Sequence, residues 1–335
     1  MAELPANSRW NIMEYISQLN KIKKSITNTP LIDIKYTLEG DCCCCCRHIF
    51  AKCEWYSLTG SIKDKVAYQI LKDAYETGKL KRGDKIVEVS SGNMGLSLCA
   101  IANILGNPTT IIMPKTMSEE RKKLIRLYGA TLIETEDFTS AFKLCKEMVA
   151  SGEYYCTEQF ANPSNKTAHR EITAKEILSH KEKLSSVKTF VAGIGTSGTL
   201  SGIGEILKEE LNLEITAIEP ENARVITGTA PFGKHQLQGL SDEILPELYS
   251  DSLVDNVLQI SDNDAIAMAQ KLARELSLGV GISSGANIVG CILSKTDAIT
   301  ILPDDNKKYL STNLSTPITT PFVDRVHFVD FDIIN

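Results

Sequence analysis

The stretch "VKTFVAGIGTSGTLSGIGEILKEE" (residues 187–210) joins an apolar run to an amphipathic run through a loop of small residues. "VKTFVAG" has the short apolar pattern of a buried strand, and "LSGIGEILKEE" has the spacing of a helix. The loop between them supplies glycines and hydroxyl groups just before the helix, where backbone N–H groups favour an anion. The stretch therefore predicts a strand–loop–helix unit with a phosphate-binding loop.

The same alternation of strand and helix recurs along the 335 residues. Examples are "DKIVEVS" before "GLSLCAIANILG", "PTTIIMP" before "SEERKKLIRLYG", and "EITAIEP" before "NDAIAMAQKLARELS". Repeated alternation is typical of an α/β fold with mainly parallel sheets, and the length suggests about two domains. Ligands bind such sheets in the loops that follow the strands. We therefore expect functional residues in those loops.

Composition excludes some classes of function. The chain is 43% hydrophobic and 23% charged, and its formal net charge is −6. Without a long basic run, nucleic acid is not an expected partner. No apolar run is long enough to span a bilayer, and the N-terminus lacks the pattern of a signal peptide, so we expect no membrane and a cytoplasmic protein.

Five of the ten cysteines are contiguous, at residues 42–46. This spacing does not match a zinc site, so no metal is expected. We favour a hairpin in which the thiols act as small apolar side chains, while metal binding and thiol redox chemistry remain alternatives. The Thr- and Asn-rich tail, residues 314–335, is expected to be irregular.

Two more strand-to-helix loops, "VSSGNMG" and "GISSGAN", accompany the phosphate loop. Lys63 lies in "TGSIKDK" (residues 59–65) at the start of a helical pattern, where the helix dipole disfavours a cation. A lysine beside a phosphate loop can form a Schiff base with pyridoxal phosphate. This interpretation gives Lys63 and all three loops a role.

Two other classes stay open on the residues alone. Gly193, Gly195 and Gly198 match a dinucleotide fingerprint, and Glu219 follows where a ribose-binding acid would lie. The loop alone therefore also predicts an NAD-dependent dehydrogenase, although that hypothesis gives Lys63 no role. A non-catalytic binding scaffold is the third possibility.

Together, "TGSIKDK", "SSGNMG", "EQFANPSNKTAHREITAKEI", "GTSGT" and "GISSGA" resemble the cysteine synthase and cystathionine β-synthase family of pyridoxal-phosphate enzymes. The resemblance runs from residues 28–34 to residues 299–312, nearly the whole chain. It implies the fold type II, tryptophan synthase β-like architecture, with pyridoxal 5′-phosphate as the cofactor and a homodimer as the usual assembly. We expect an N-terminal α/β domain at residues 57–160 and a C-terminal α/β domain at residues 33–56 and 161–313.

The resemblance also implies roles for individual residues. Lys63 resembles the Schiff-base lysine, Asn93 the residue at the pyridoxal 3′-oxygen, and Ser283 the neighbour of the pyridine nitrogen. The phosphate cup corresponds to Gly195, Thr196, Ser197, Gly198 and Thr199. The loop and clamp for the substrate carboxylate correspond to Ser90, Ser91, Gly92, Met94 and Gln159.

The implied reaction is β-elimination or β-replacement on a serine- or cysteine-type amino acid through an α-aminoacrylate. A serine at the pyridine nitrogen cannot keep it protonated as an aspartate would, which favours expulsion of a group from Cβ. Serine/threonine dehydratases resemble the chain less, because their lysine is typically followed by Arg-Gly-Ala, whereas Lys63 is followed by Asp64 and Lys65.

Two positions depart from the family pattern. Met94 stands where the family usually has a threonine, and Asp242 stands in "QGLSDEILP" where small residues are usual. As an alternative to a solvated turn, Asp242 at the mouth of the site would repel hydrosulfide and help to protonate a leaving thiolate. This slightly favours consumption of cysteine, giving hydrogen sulfide with serine or lanthionine. Synthesis of cysteine from O-acetylserine or O-phosphoserine remains the alternative.

Overall fold

The computed structural model describes residues 12–40, 46–229, 233–241 and 245–334, and strands and helices alternate through most of them as predicted. Within these residues no strand directly precedes "GISSGAN", so that stretch joins two helices and is not the strand-to-helix loop that was expected. The helices are α1 (Ile12–Ile26), α2 (Lys63–Glu76), α3 (Asn93–Leu105), α4 (Glu119–Leu127), α5 (Phe138–Ala150), α6 (Pro163–Ala168), α7 (Lys175–Leu178), α8 (Gly198–Leu211), α9 (Asp262–Leu276), α10 (Ile282–Ser294) and α11 (Pro321–Asp324). A π-helical turn, His169–Ala174, joins α6 to α7.

The larger sheet has seven strands in the order β11-β1-β2-β10-β7-β8-β9. Its strands are β1 (Leu31–Leu38), β2 (Arg47–Cys53), β7 (Thr189–Gly193), β8 (Glu214–Pro220), β9 (Asn256–Ile260), β10 (Ala298–Leu302) and β11 (Val326–Ile334). From β2 to β9 all neighbours are parallel, while β1 is antiparallel to both β2 and β11. Buried apolar side chains cover both faces of this sheet.

The smaller sheet has four parallel strands in the order β5-β4-β3-β6. They are β3 (Lys85–Val89), β4 (Thr109–Pro114), β5 (Thr131–Thr135) and β6 (Tyr154–Cys156). All four lie within residues 57–160, whereas the larger sheet takes its strands from both sides of that segment. The predicted α/β class with mainly parallel sheets is confirmed.

The tail is not irregular as expected, because residues 326–334 form the edge strand β11. The strand pairs with β1 along its whole length, with a register shift between Lys35 and Tyr36. This bulge interrupts the period-two pattern of apolar residues in "VHFVDFDII", which hides the strand signal in the sequence.

The hairpin expected around the cysteine run is present as the antiparallel pair β1 and β2. Cys42 to Cys45 lie outside the described residues, and Cys46 is exposed. Over the described ranges, no helix is both long and apolar enough to cross a membrane.

Candidate active site

A cleft opens where the carboxyl ends of strands from both sheets meet, with about 780 Å³ of empty space including its open mouth. The loops after β3, β7 and β10 all contribute to its wall. The predicted residues that line it are Lys63, Ser90, Ser91, Asn93, Met94, Gln159, Gly195, Thr196, Ser197, Thr199 and Ser283. Gly92 and Gly198 lie in the same loops behind the lining, and Asp242 lies outside the described residues. The roles of all these residues toward cofactor and substrate stay predictions.

Lys63 is the first residue of α2 and is held at the end of the larger sheet. The backbone N–H of Ile62 donates to the carbonyl of Pro303, one residue after β10 (2.8 Å). The Lys63 amine donates to the hydroxyl of Thr196, in the loop after β7 (3.2 Å). The sequence-distant lysine and phosphate loop are therefore neighbours.

The residues before Lys63 form a tight turn. Gly60 has a positive φ of 74°, and a side chain there would press against the Asp305 carboxylate. Thr59 donates from its N–H and its hydroxyl to the Asp64 carboxylate (2.7 and 2.5 Å). The Lys308 amine donates to the carbonyl of Gly60 (2.5 Å). The side chains of Asp64 and of the sequence-distant Lys308 therefore fix where α2 begins.

A buried ionic network anchors the first turn of α2 to the end of β2 and to α7. Lys65 pairs with Glu54 (2.8 Å) and with Glu176 (2.9 Å). Lys52 pairs with the same Glu176 (2.7 Å), and burial lowers the pKa of Lys52. Separation of these buried charges would leave at least one of them uncompensated, which is strongly unfavourable. The network therefore holds the start of α2, and with it Lys63, in place at the end of the sheet.

The phosphate loop is shaped by two crowded glycines and one strained serine. A side chain at Gly195 would overlap the carbonyl oxygen of Gly239, and one at Gly198 would overlap the Asn165 amide. Ser197 has a positive φ of 63° at the N-terminus of α8. A backbone turned in this way aims successive N–H groups into a concavity, which suits an anion.

The hydroxyls of this loop are oriented by residues of α6 and the π-helical turn. The Asn165 amide donates to the Thr196 hydroxyl (2.8 Å). His169 Nε2 lies 3.2 Å from the Thr199 hydroxyl, and its Nδ1 lies 3.1 Å from the Thr173 hydroxyl. Complete burial, aided by the nearby lysines, lowers the pKa of His169, so the ring is neutral. "NPSNKTAHREIT" therefore contributes positioning residues, a function that its sequence does not reveal.

The loop after β3 is stabilised by hydrogen bonds to the side chain of its own serine, Ser90. The Ser90 hydroxyl accepts from the backbone N–H groups of Gly92 and Gly95 (both 3.0 Å). Gly92 has a φ of 144°, and a side chain there would overlap that of Arg121. Glycine is required because Arg121 passes beneath the loop.

Arg121 belongs to the site, although no sequence pattern predicted it. It is 2% exposed, lines the cleft, bonds to Gln238 and stacks over the Tyr309 ring (4.4 Å). The fully buried Asp304 accepts from Asn93 (2.8 Å) and from Tyr309 (2.7 Å), and lies 3.6 Å from the Arg121 guanidinium. In the sequence, Arg121 lies in "EERKK", a pattern that is indistinguishable from a solvated helix start.

Gln159 is held beside the loop after β3. Its side-chain amide donates to the carbonyl of Val89 (2.9 Å), and its backbone N–H donates to the Glu88 carboxylate (3.4 Å). Glu88, which is 2% exposed, also accepts from the Thr157 hydroxyl. Burial raises the pKa of Glu88 to about 7. A second missed residue, Glu88, thus fixes the segment that carries Gln159.

Ser283 lies in the first turn of α10 and faces the cleft, whereas the adjacent Ser284 is fully buried outside the lining. One turn further along, Asn287 accepts from the N–H of Gly193 (2.9 Å) and donates to the carbonyl of Ile301 (2.8 Å). Asn287 therefore locks α10 to the ends of β7 and β10, which sets the position of Ser283.

These residues fit pyridoxal phosphate. The crowded glycines leave a backbone cradle for a phosphate next to the Lys63 amine. The buried carbonyl oxygen of the Asn93 amide has no hydrogen-bond partner among the described residues, which is unusual for a buried polar atom. An aromatic ring with polar substituents would fill the space between Asn93 and Ser283.

The profile of the pyridoxal-phosphate-dependent enzyme family matches residues 22–305. A cysteine synthase of Staphylococcus aureus is 35% identical over 306 residues, covering 88% of this chain and 97% of its own length. A hydrogen sulfide-producing enzyme from Fusobacterium nucleatum is 38% identical, with a TM-score of 0.88 over 96% of this chain and 98% of its own. A variant of that enzyme with an aspartate changed to asparagine, crystallised with an α-aminoacrylate intermediate, gives a TM-score of 0.89 over 95% and 98% of the two chains, at 38% identity. A cysteine synthase of Entamoeba histolytica is 30% identical, with a TM-score of 0.80 over 97% of each chain.

The fold and the matches define a pyridoxal-phosphate-dependent enzyme of fold type II. Within that class, the chain belongs to the cysteine synthase and cystathionine β-synthase family, as the sequence motifs predicted. Its cofactor is pyridoxal 5′-phosphate. This overturns the NAD-dependent dehydrogenase hypothesis. Glu219, the supposed ribose-binding acid, is fully buried and accepts instead from Thr227 (2.6 Å) and Ile226 N–H (2.8 Å).

Proposed function

We propose that the enzyme consumes L-cysteine at Cβ, releasing hydrogen sulfide and forming serine with water or lanthionine with a second cysteine. The main support for this proposal is that the segment just before Asp242 runs beside the cleft. Gln238, Gly239 and Leu240 line it, and the N–H of Ser241 donates to the carbonyl of Ile194, next to the phosphate loop (2.8 Å). Asp242, the next residue in the sequence, carries the carboxylate that the proposal requires at the cleft.

The proposed roles follow from this arrangement. When bound, pyridoxal phosphate would supply the electron sink that acidifies the substrate Cα. Lys63 would move the Cα proton, and Ser90, Ser91 and Gln159 would hold the substrate carboxylate. Asp242 would give a proton to the departing sulfur and take one from the incoming water or thiol. A negative group at this point also repels hydrosulfide, which opposes the synthetic direction.

The relatives support both candidate directions, since one is described as a hydrogen sulfide-producing enzyme and others as cysteine synthases. Asp242 favours the first direction. In the F. nucleatum variant that has asparagine in place of an aspartate, an α-aminoacrylate intermediate is present, as expected if the lost carboxylate activates the incoming water or thiol in the second half of the reaction.

The test compares Asp242→Asn with Glu243→Gln, which removes the adjacent carboxylate. Sulfide release from L-cysteine is measured together with serine and lanthionine. We expect Asp242→Asn to slow release by roughly 100-fold or more, the usual contribution of a general acid or base, and Glu243→Gln to have little effect. Cysteine formation from O-acetylserine and sulfide should suffer less, because acetate leaves without protonation. An unchanged sulfide release rate in Asp242→Asn removes Asp242 from the mechanism, and faster cysteine formation than consumption in the wild type reverses the proposed direction.

A homodimer and a cytoplasmic location complete the proposal. Both rest on the behaviour of similar enzymes. Light scattering of the purified protein gives the subunit number directly, and a monomeric mass would remove the dimer from the proposal.

A further inference from the structure

Two cysteines outside the cleft have their sulfur atoms in contact. Cys145 lies on α5, and Cys156 is the last residue of β6. Their Sγ atoms are 3.8 Å apart. The other described buried cysteines, Cys53, Cys99 and Cys291, have no sulfur neighbour at this distance, and burial raises the pKa of each of their thiols.

We infer that Cys145 and Cys156 form an oxidisable dithiol, which a peroxide converts to a disulfide, and that this cross-link weakens binding of the amino-acid substrate. The sulfur atoms must approach by roughly 2 Å to form the bond, which requires side-chain rotation together with small shifts of α5 and of the end of β6 at Cys156. The link would close a short segment between one helix and the strand that follows it.

The local environment favours reaction at Cys145. The hydrogen bond between the two thiols lowers the pKa of Cys145. The same interaction together with burial raises the pKa of Cys156. Cys145 is 6% exposed and Cys156 is partly exposed, so a small neutral oxidant is better suited to reach the pair than a bulky disulfide.

The chemistry balances with hydrogen peroxide as the oxidant. The Cys145 thiolate attacks one peroxide oxygen, the O–O bond breaks, and the departing hydroxide takes a proton to become water. Cys156 then attacks the sulfenic sulfur of Cys145. The S–S bond forms, the S–O bond breaks, and the hydroxyl leaves as water with the Cys156 proton. Two thiols and one peroxide give one disulfide and two waters.

The link to substrate binding runs along the chain after Cys156. The Thr157 hydroxyl donates a hydrogen bond to the buried Glu88, and Glu158 has a positive φ of 51°. The backbone of this turn is therefore constrained and transmits movement along the chain. Gln159 follows immediately and bonds to Val89. Movement of Cys156 therefore displaces Gln159. This part rests on the proposed function, in which Gln159 holds the substrate carboxylate.

The experiment treats the holoenzyme with hydrogen peroxide, blocks remaining thiols and maps cross-linked peptides by mass spectrometry. The KM for L-cysteine and the cofactor absorption are measured before and after, and again after dithiothreitol. We expect a peptide joining Cys145 to Cys156 and a KM increase on the order of tenfold, the effect of losing one hydrogen bond to a charged group. The absorption should be unchanged, and dithiothreitol should restore the KM.

The variants Cys145→Ser and Cys156→Ser should lose this cross-link and the KM response, whereas Cys46→Ser should keep both. Peptides from residues 42–46 report oxidation there separately. Absence of the 145–156 peptide in the wild type overturns the site. Its presence with an unchanged KM overturns the coupling to Gln159. Loss of the proposed function would appear differently, as an untreated enzyme without turnover of cysteine, and the cross-link would still be measured by mass.

Discussion

Glu88 gives a quantitative prediction about stability. The carboxyl is 2% exposed, and burial raises its pKa to about 7 from the ordinary value of 4.5. In the unfolded chain the group ionises at the lower value, so the unfolded state gains stability as pH rises between the two values. At about 1.4 kcal/mol per pKa unit, the native state loses roughly 3 kcal/mol over this range. Below pH 4.5 the contribution is fully present, and above pH 7 the loss is complete.

Glu88→Gln keeps the shape of the protonated acid and does not titrate. The free energy of unfolding of the wild type should therefore fall relative to that of Glu88→Gln as pH rises. Roughly 1 kcal/mol of the change lies between pH 6 and pH 8.5, because ionisation in the unfolded chain starts well below this range. Urea unfolding of both holoenzymes at the two pH values measures it, with the exposed Glu147→Gln as the control. If the difference between wild type and Glu88→Gln is the same at both values, Glu88 does not titrate near neutrality and the reasoning fails.

Three further substitutions test the architecture of the site. Gly195→Ala should weaken pyridoxal phosphate binding at least tenfold, because the added carbon overlaps the Gly239 carbonyl. Fluorescence titration of the cofactor into enzyme from which it has been removed measures this affinity, and an unchanged value would show that the loop does not form the phosphate cradle. Arg121→Met should lower the free energy of unfolding, measured in urea, by about 3 kcal/mol, because the buried charge of Asp304 loses a neighbouring cation. Arg126→Met, on the exposed side of α4, should cost less than about 1 kcal/mol, and equal losses would contradict the buried network. Lys65→Met should likewise cost about 3 kcal/mol, because Glu54 and Glu176 lose a shared cation. The partly exposed Lys72→Met should cost less than about 1 kcal/mol, and similar losses for both variants would contradict the anchoring role of Lys65.

The sequence predicts the sheets well because their signal is local. Apolar runs bounded by glycine and polar loops are enough to place β3, β4, β7, β8 and β10, and the loops after β3 and β7 follow from them. The contact between Lys63 and Thr196 was expected from the pyridoxal-phosphate interpretation and the family resemblance, not from a local sequence pattern.

What the sequence does not predict depends on contacts between distant residues. Arg121 looks like any charged residue in a first helical turn, and only its burial against Asp304 and Tyr309 sets it apart. Ser118 immediately precedes α4, and its hydroxyl donates to the carbonyl of the distant Lys308 (2.8 Å) instead of capping the helix. Glu88 reads as the polar interruption of a strand, and its raised pKa follows only from the three-dimensional packing.

The central claim is that Lys63 carries the cofactor in this cleft. Reduction of the purified holoenzyme with borohydride, followed by digestion and mass spectrometry, fixes pyridoxal phosphate to the lysine that holds it. We expect a phosphopyridoxyl group on Lys63, and none on the neighbouring Lys65 or on Lys308. The modification on any other lysine, or an unmodified Lys63 in an enzyme that still absorbs visible light and releases sulfide from cysteine, would contradict it.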